Sequence, residues 1–197
     1  MNSIRRICVF CGSKPGASPL FTDAARILGG ALAKQKIGLV YGGASVGLMG
    51  TIADAVLAHG GEVVGVIPHG LAAKEIAHHG LTQLHRVNSM HERKALMEQL
   101  SDAFIAMPGG FGTLEEVLEI VTWIQLGLHQ KPTGLLNVSG FYEPLLQQIE
   151  QGVRWGFIPA ELKPALISDS DPLHLLQRLH EHAVPPATVR WIRREET

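Results

Sequence analysis

The chain has 197 residues, of which 46% are hydrophobic and 18% are charged, a length and composition that suit one domain with a substantial core. Lys and Arg number 17 against 18 Asp and Glu, a formal net charge of −1. No strong field of either sign is therefore available to recruit nucleic acid or an anionic membrane. Aromatic residues, at 6%, are too few to form a stacking platform for single-stranded nucleic acid.

The N-terminal segment bears on location and on redox chemistry. It has no long apolar region ending in a small-residue cleavage site, and no run of about 18 apolar residues occurs in the sequence, so we expect a cytoplasmic protein without a membrane span. Cys8 and Cys11 form a C-x-x-C pair inside an apolar, strand-like run. A redox-active pair requires a helix N-terminus that stabilises a thiolate. The placement therefore favours two inert core thiols in a reducing compartment.

Apolar runs of strand length alternate with helical patterns along most of the chain. This alternation predicts a parallel sheet covered on both faces, the doubly wound, Rossmann-like α/β plan. We expect one nucleotide-binding domain over residues 1–182 and a peripheral tail over 183–197. The predicted strands are Ile7–Cys11, Gly38–Tyr41, Val63–Ile67, Ala103–Met107, Thr133–Leu136, Ala165–Ile167 and, more weakly, Leu81–Val87. The predicted helices are Pro19–Lys36, Leu48–His59, Ser89–Leu100, Thr113–Gly127, Tyr142–Trp155 and Pro172–His182.

Three of the predicted strands end in turns of small residues, at positions 12–13, 42–45 and 108–113. In a doubly wound fold, ligands bind at the carboxyl ends of strands and near helix N-termini. Turns without bulky side chains let backbone amides approach a phosphate. We therefore predict a phosphate-bearing ligand, with Ser13, Gly42 and Gly43 as candidate contacts beside the third turn.

The familiar signatures of two nucleotide-binding classes do not occur. No G-x-G-x-x-G follows the first strand and no G-x-x-x-x-G-K-[ST] occurs, which argues against a nicotinamide dehydrogenase and a P-loop NTPase. The ten histidines show no spacing typical of a zinc site. We therefore expect no metal.

The turn PGGFGT at residues 108–113 leads into a helix predicted to begin at Thr113. The positive end of that helix would face a bound phosphate. A structural alternative is a capping box, because Thr113 and Glu116 fit the S/T-x-x-E pattern. The capping box does not account for the three glycines, and the residues alone leave both interpretations open.

The helix start SMHERK at residues 89–94 places an arginine where helix physics disfavours it. Ser89 and Glu92 form a second candidate capping box. Arg93 lies near the positive end of the helix and shares a face with apolar residues. Either its side chain snorkels to solvent, or its guanidinium points into a cleft toward an anion or a carboxylate, for which Glu116 is the obvious neighbour.

Taken together, these motifs resemble the LONELY GUY family of cytokinin riboside 5′-monophosphate phosphoribohydrolases, whose members have often been labelled lysine decarboxylases. The paired segments are MHERK at 90–94 and PGGFGTLEE at 108–116, with further matches in CVFCGS at 8–13, LVYGG at 39–43, GLMG at 47–50 and KPTGLLN at 131–137. The similarity spans roughly residues 5–180. It implies a Rossmann-like homodimer that hydrolyses the N-glycosidic bond of an adenine-type nucleoside 5′-monophosphate such as AMP, giving free base and ribose 5-phosphate.

The resemblance also implies roles for individual residues. Arg93 and Glu116 would be catalytic, and neither a metal nor an organic cofactor would be required. Glu75 and Thr122 would be further substrate contacts, although the stretch around Glu75 departs from the proline- and arginine-bearing versions found in the family. The remaining implied substrate contacts are Met90, Lys94, Gly109, Gly110, Phe111, Gly112, Thr113, Leu114 and Glu115.

The expected homodimer has support in the pattern of the helix at 113–127. One apolar stripe is expected to pack on the sheet, and further apolar residues extend around the helix to form a surface that a partner could cover. The stripe comprises Leu114, Val117, Leu118, Val121 and Ile124, and the extension comprises Ile120, Trp123 and Leu126.

The chemistry of base release fits the two catalytic candidates. Breaking a ribosyl–base bond develops oxocarbenium charge, which a carboxylate at Glu116 can stabilise, or the carboxylate can orient the attacking water. Arg93 does not deprotonate near neutrality, so it would orient Glu116, the ribose or the base. The group that protonates the leaving base, and the choice between adenine and an N6-prenylated adenine, are left open by the sequence.

Two other classes of function compete with hydrolysis as explanations of the sequence. A non-catalytic nucleotide carrier on the same fold would keep the glycine turn but would not need Arg93 and Glu116 together. A lysine decarboxylase would need pyridoxal phosphate on a lysine, and none of the seven lysines lies in a recognisable Schiff-base setting.

Overall fold

A computed structural model describes residues 4–72 and 76–186 of the chain. Strands and helices alternate along it, as the sequence predicted. The strands are β1 Arg6–Phe10, β2 Gly38–Tyr41, β3 Val63–Pro68, β4 Gln83–Val87, β5 Ala103–Ala106, β6 Thr133–Leu136 and β7 Leu166–Asp169. The helices are α1 Pro19–Lys34, α2 Gly47–Ala58, the single turn α3 His69–Leu71, α4 Met90–Gln99, α5 Phe111–Leu126, α6 Glu143–Arg154 and α7 Pro172–Glu181.

The seven strands form one parallel sheet in the order β4-β3-β2-β1-β5-β6-β7. The chain builds outward from β1 to β4, crosses back to β5, and then builds outward to β7. The strand order therefore reverses between β1 and β5, which is where doubly wound sheets bind ligands. The predicted Rossmann-like α/β fold is confirmed.

Helices cover both faces of this sheet. Helices α1, α2 and α7 pack over one face, and α4, α5 and α6 pack over the other. Strands β2, β3, β5 and β6 are buried at every position. Double-sided burial explains why these strands appear in the sequence as unbroken apolar runs rather than as alternating patterns.

The two cysteines lie on opposite faces of the sheet. Cys8 belongs to the core beneath α4, α5 and α6, and Cys11 belongs to the core beneath α1, α2 and α7. Both thiols are free and buried, and burial raises the pKa of each well above its usual range. These positions confirm the prediction of two core thiols rather than a redox pair.

The start of α5 differs from the prediction. The helix begins at Phe111, with Gly110 as its N-cap, and not at Thr113. Thr113 lies buried in the first turn, so the capping box proposed for Thr113 and Glu116 is wrong. The N-cap residue, Gly110, has an extended backbone conformation. Because it has no side chain, it cannot accept hydrogen bonds from the backbone amides of the first helical turn.

The buried face of α5 also differs from the prediction. Ile120 faces the core together with Val117 and Ile124, whereas Leu118 is exposed. The reason is that the buried face of α5 also includes the polar residues Thr113 and Glu116. The prediction used only apolar residues, so it placed the buried face too far around the helix. The surplus apolar surface therefore lies on a different side of α5 from the one expected.

The C-terminal tail is described only in part. Residues 183–186 follow α7, and Ala183 and Val184 line a cleft beside Arg5 and Asp102. The basic cluster at 190–194 lies outside the described residues. Within residues 4–72 and 76–186, no helix is long and apolar enough to cross a bilayer.

Candidate active site

Three turns meet at the carboxyl edge of the sheet, where the strand order reverses. The Gly12 amide donates a hydrogen bond to the Pro108 carbonyl at 3.1 Å, and the Leu48 amide donates one to the Gly12 carbonyl at 3.0 Å. At Gly109, an added Cβ would overlap the Thr113 side chain, so the close approach there requires glycine. The turns enclose a cavity of about 420 Å³, which lies in the usual range for small-molecule sites.

One side of this cavity is the N-terminus of α5. In the part of the chain that the structure describes, no side chain caps the helix, and no acidic residue lies in its first turn. The amides of Phe111, Gly112 and Thr113 have no partner within the helix and belong to residues that line the cavity. Methyl groups at Gly110 and Gly112 would meet nothing within 4 Å, so there is space beside the backbone. This helix end suits an anionic group such as a phosphate.

Glu116 lies one turn further along α5, with 9% of its surface exposed to solvent. Burial raises its pKa from 4.5 to about 7, although the positive charge of Arg93 acts in the opposite direction. The carboxyl group is therefore divided between its protonated and ionised forms near neutral pH. A group in that state can donate or accept a proton during a reaction.

Arg93 reaches the same cavity from α4, and 9% of its surface is exposed. Its Nε atom is buried and has no hydrogen-bond partner within residues 4–72 and 76–186, and its Nη1 atom lies 3.9 Å from the Met90 sulfur. Among the described residues the guanidinium forms no ion pair, not even with Glu116. The donors of Arg93 are thus left for a ligand rather than committed to the neighbouring carboxylate.

The start of α4 fixes the position from which Arg93 extends. The Ser89 hydroxyl accepts a hydrogen bond from the Glu92 amide at 3.1 Å, so the predicted N-cap is confirmed. The Glu92 carboxylate accepts a hydrogen bond from the backbone amide of Asn88 at 2.8 Å. In a standard capping box it would bond to the amide of the N-cap residue, Ser89, which is one position later. These bonds define the first turn of α4, and Arg93 follows directly.

Lys94 joins α4 to α5. Its ammonium group lies 2.5 Å from the Glu115 carboxylate and 3.0 Å from the Glu119 carboxylate. Lys94 also lines a separate cleft of about 550 Å³ between the two helices, together with Trp123. This predicted substrate contact therefore links the two helices in the structure.

The other predicted contacts divide into two groups. Met90, Phe111, Gly112, Thr113 and Glu115 line the cavity together with Ser13, Gly42 and Gly110, whereas Gly43, Gly109, Leu114 and Thr122 lie outside its lining. Thr122 is exposed on α5 and donates its hydroxyl to the Leu118 carbonyl. Gly43 has a φ of +75°, and its carbonyl accepts a hydrogen bond from the His78 amide, both of which suit a chain turn. Glu75 lies outside the described residues.

One wall of the cavity was not predicted. It is apolar and comes from several elements of the fold: Val46, Met49, Ile67, Leu71 and Ile76. Val46 and Met49 follow the second glycine turn closely in the sequence, and this closeness could have identified them as cavity residues. The other three are brought to the cavity only by the tertiary fold. Within the described residues, no cluster of three His, Cys, Asp or Glu side chains is placed to hold a metal ion.

Comparison with known sequences identifies close relatives. The family described as "Possible lysine decarboxylase" matches residues 49–179. A probable cytokinin riboside 5′-monophosphate phosphoribohydrolase of Oryza sativa subsp. japonica, LOGL9, is 50% identical over 90% of this chain and 78% of its own length. The phosphoribohydrolase LOG of the same plant is 49% identical over 90% of this chain and 74% of its own. The corresponding enzyme LOG3 of Arabidopsis thaliana is 47% identical over 92% of this chain and 85% of its own.

Comparison with solved structures supports the fold at much lower identity. A molybdenum cofactor binding protein from Rippkaea orientalis superposes with a TM-score of 0.69 and 21% identity, over 91% of this chain and 97% of that one. The molybdenum cofactor carrier protein of Chlamydomonas reinhardtii gives a TM-score of 0.68 at 20% identity, over 91% of this chain and 100% of its own. At these identities the likeness concerns the fold alone.

Proposed function

Because the chain belongs to the LONELY GUY family of cytokinin riboside 5′-monophosphate phosphoribohydrolases, we propose that it hydrolyses adenine-type nucleoside 5′-monophosphates to free base and ribose 5-phosphate. One observation in the structure carries the proposal. A single cavity combines the uncapped N-terminus of α5, an arginine with unused donors, and a carboxyl group whose pKa lies near neutrality. We include AMP among the substrates, alongside the cytokinin nucleotides.

In the proposed reaction, the 5′-phosphate binds at the first turn of α5, which places the ribose beside Glu116. Cleavage of the bond from C1′ to the base nitrogen leaves positive charge on the ribose ring, and the ionised Glu116 stabilises it. Water adds its oxygen to C1′ and gives up a proton, which the Glu116 carboxylate can accept. The base departs with a proton taken from solvent, and Glu116 returns its accepted proton to solvent, so the net reaction divides one water between the two products.

Arg93 binds and orients the substrate in this scheme. Its guanidinium remains charged throughout the reaction, so it does not serve as the acid. Its buried donors instead bond to acceptor atoms of the ribose or the base, and substrate binding would satisfy the Nε atom, which has no partner among the described residues. The apolar wall on the other side of the cavity is suited to the faces of a purine.

The decisive test compares AMP with adenosine. The phosphate supplies binding energy that positions the ribose, so kcat/KM for AMP should exceed that for adenosine by roughly 10²-fold or more. Released adenine and ribose 5-phosphate can be quantified by chromatography. Comparable values for the two substrates would show that the glycine turn is structural. Tight binding of AMP without release of adenine would instead support a carrier function.

We also propose that the protein is a homodimer whose contact includes α5. Phe111 and Leu118 are exposed on one side of this helix, and Leu114 and Val121 beside them are half-buried. Contiguous apolar surface of this kind commonly marks a partner surface, and two-fold pairing is the most frequent arrangement. Thr122 lies on the same side of α5 and does not line its own chain's cavity. In a dimer paired through this surface, Thr122 would contact the substrate bound by the partner.

A reducing compartment, the cytoplasm, is proposed as the location. The support is that Cys8 and Cys11, the two cysteines of the sequence, lie on opposite faces of the sheet as buried free thiols, so the fold uses no disulfide between them. Cell fractionation of the tagged protein tests this directly, and recovery from an oxidising compartment would contradict it.

A further inference from the structure

Gly42 lies against the guanidinium of Arg93. It follows directly after β2 and lines the cavity. A methyl group built on its Cα would overlap the Nη2 atom of Arg93, and the Met49 sulfur lies 3.1 Å from the same position. The space that any side chain at residue 42 would need is therefore occupied by the arginine.

The backbone at Gly42 does not itself demand glycine. Its φ lies outside the left-handed region, whereas the next residue, Gly43, has a φ of +75° and would be strained by any side chain. An alanine at position 42 is thus compatible with the turn. The obstacle is the end of the Arg93 side chain.

Arg93 has few other contacts that could hold its guanidinium in place. It forms no ion pair among the described residues, its Nε atom has no partner, and its polar neighbour is the sulfur of Met90 at 3.9 Å. Its position near the positive end of α4 is also electrostatically unfavourable. Glu116 attracts the guanidinium without forming an ion pair with it, so no directional bond fixes its position and the shape of the cavity limits where it can lie.

We propose that Gly42 is a positioning residue for the reaction: the missing Cβ provides the space in which the Arg93 guanidinium lies, and so sets where its donors meet the substrate. This inference rests on the proposed function, in which Arg93 binds the ribose or the base. The earlier prediction that Gly42 contacts a phosphate is a separate one and stays a prediction, since Gly42 also lines the cavity.

The variant Gly42→Ala tests the proposal. The methyl group should force the guanidinium aside by an ångström or more, and a displacement of that size lowers kcat by roughly 10²-fold. Gly30→Ala is a matched control, because Gly30 is buried in α1 and a methyl there would make only an ordinary contact, 3.4 Å from the His59 ring. This control should keep the activity of the parent. Circular dichroism and thermal unfolding should show both variants folded.

A double-mutant cycle separates positioning from general damage. If Gly42 acts through Arg93, then Gly42→Ala should cause no further loss of kcat in the Arg93→Ala background. Losses that multiply in the double variant would overturn the proposal. The same cycle on the dissociation constant of AMP, measured by calorimetry, provides a readout that does not depend on turnover.

A crystal structure of the unliganded Gly42→Ala variant distinguishes failure of this inference from failure of the proposed function. A displaced Arg93 guanidinium supports the steric relationship even if the parent protein releases no base from AMP. An unmoved guanidinium overturns the inference even if AMP hydrolysis is confirmed.

Discussion

At the scale of single residues, burial brings the ionisation of Glu116 into the pH range that matters for its proposed catalytic role. An exposed glutamate would be ionised throughout the neutral range, whereas the buried carboxyl has a pKa of about 7. The nearby guanidinium only partly offsets the desolvation, because the two groups do not form an ion pair. The ionised form is the one that stabilises an oxocarbenium ion or accepts a proton from water.

We expect kcat/KM for AMP to rise between pH 6 and pH 8 with a midpoint near 7, because deprotonation of Glu116 produces the active form. Glu116→Gln should lower base release by roughly 10²-fold or more and remove this pH dependence. Initial rates of adenine release across the pH range provide the measurement. Activity close to that of the parent protein would exclude Glu116 as the catalytic carboxylate.

The stability of the same variant provides a control for folding. A carboxyl whose pKa is raised on folding holds its proton more tightly in the native state, so the free energy of unfolding falls as pH rises from about 4.5 to about 7. Glutamine cannot ionise and avoids this cost. Glu116→Gln should therefore be more stable than the parent above pH 7, by about 3 kcal/mol at most. Denaturant unfolding at pH 5 and pH 8 would reveal this difference.

At the scale of elements, the active site depends on how α4 and α5 are held together. Lys94 is largely buried and links α4 to Glu115 and Glu119 on α5. Without the ammonium group, two carboxylates four residues apart on one helix would repel each other. Lys94 also lowers the pKa of Glu116, as Arg93 does. The link therefore affects both the geometry and the electrostatics of the site.

Lys94→Met should lower the free energy of unfolding by about 1 to 2 kcal/mol. Loss of a fully buried ion pair would lower it more, but Glu115 is half exposed. It should also move the pH midpoint of kcat/KM upward, since one positive charge near Glu116 is lost. The matched control is Lys163→Met, whose ion pair with Glu150 is exposed on both sides and should contribute less than about 1 kcal/mol. An unchanged pH midpoint in Lys94→Met would refute the electrostatic role.

The sequence predicted elements well where local physics decides them. Strands β2, β3, β5 and β6 are buried on both faces, so their apolar runs were unambiguous, whereas the edge strand β4 includes exposed Gln83 and Arg86 and gave a weaker signal. The predicted start of α5 is wrong because the S/T-x-x-E pattern pointed to Thr113 as the N-cap. The actual N-cap, Gly110, has no side chain and so cannot be recognised by a capping side chain. The glycine turns were found because close backbone approach demands a particular residue type.

At the scale of the whole molecule, the parts of the site that escaped prediction are those set by long-range packing. Ile67, Leu71 and Ile76 reach the cavity from elements far along the chain from Arg93 and Glu116. An apolar residue in a strand or short helix gives no local indication that it faces a ligand rather than the core. The contact between Gly42 and Arg93 is likewise invisible in the sequence, because 50 residues separate these two positions.

The assembly of the whole molecule can be tested through the exposed side of α5. Light scattering at micromolar concentration should give twice the chain mass of 21.3 kDa. Leu118→Glu would place a charge on the proposed contact, where Leu118 is 42% exposed, and should yield a folded monomer. Its kcat/KM for AMP should fall by roughly tenfold or more if a partner contributes Thr122 to the site.

Leu173→Glu is the matched control, since Leu173 is 54% exposed on α7, over the opposite face of the sheet, and this variant should remain dimeric. A parent protein with the mass of one chain and full activity would refute both the dimer and the contribution of a partner to catalysis.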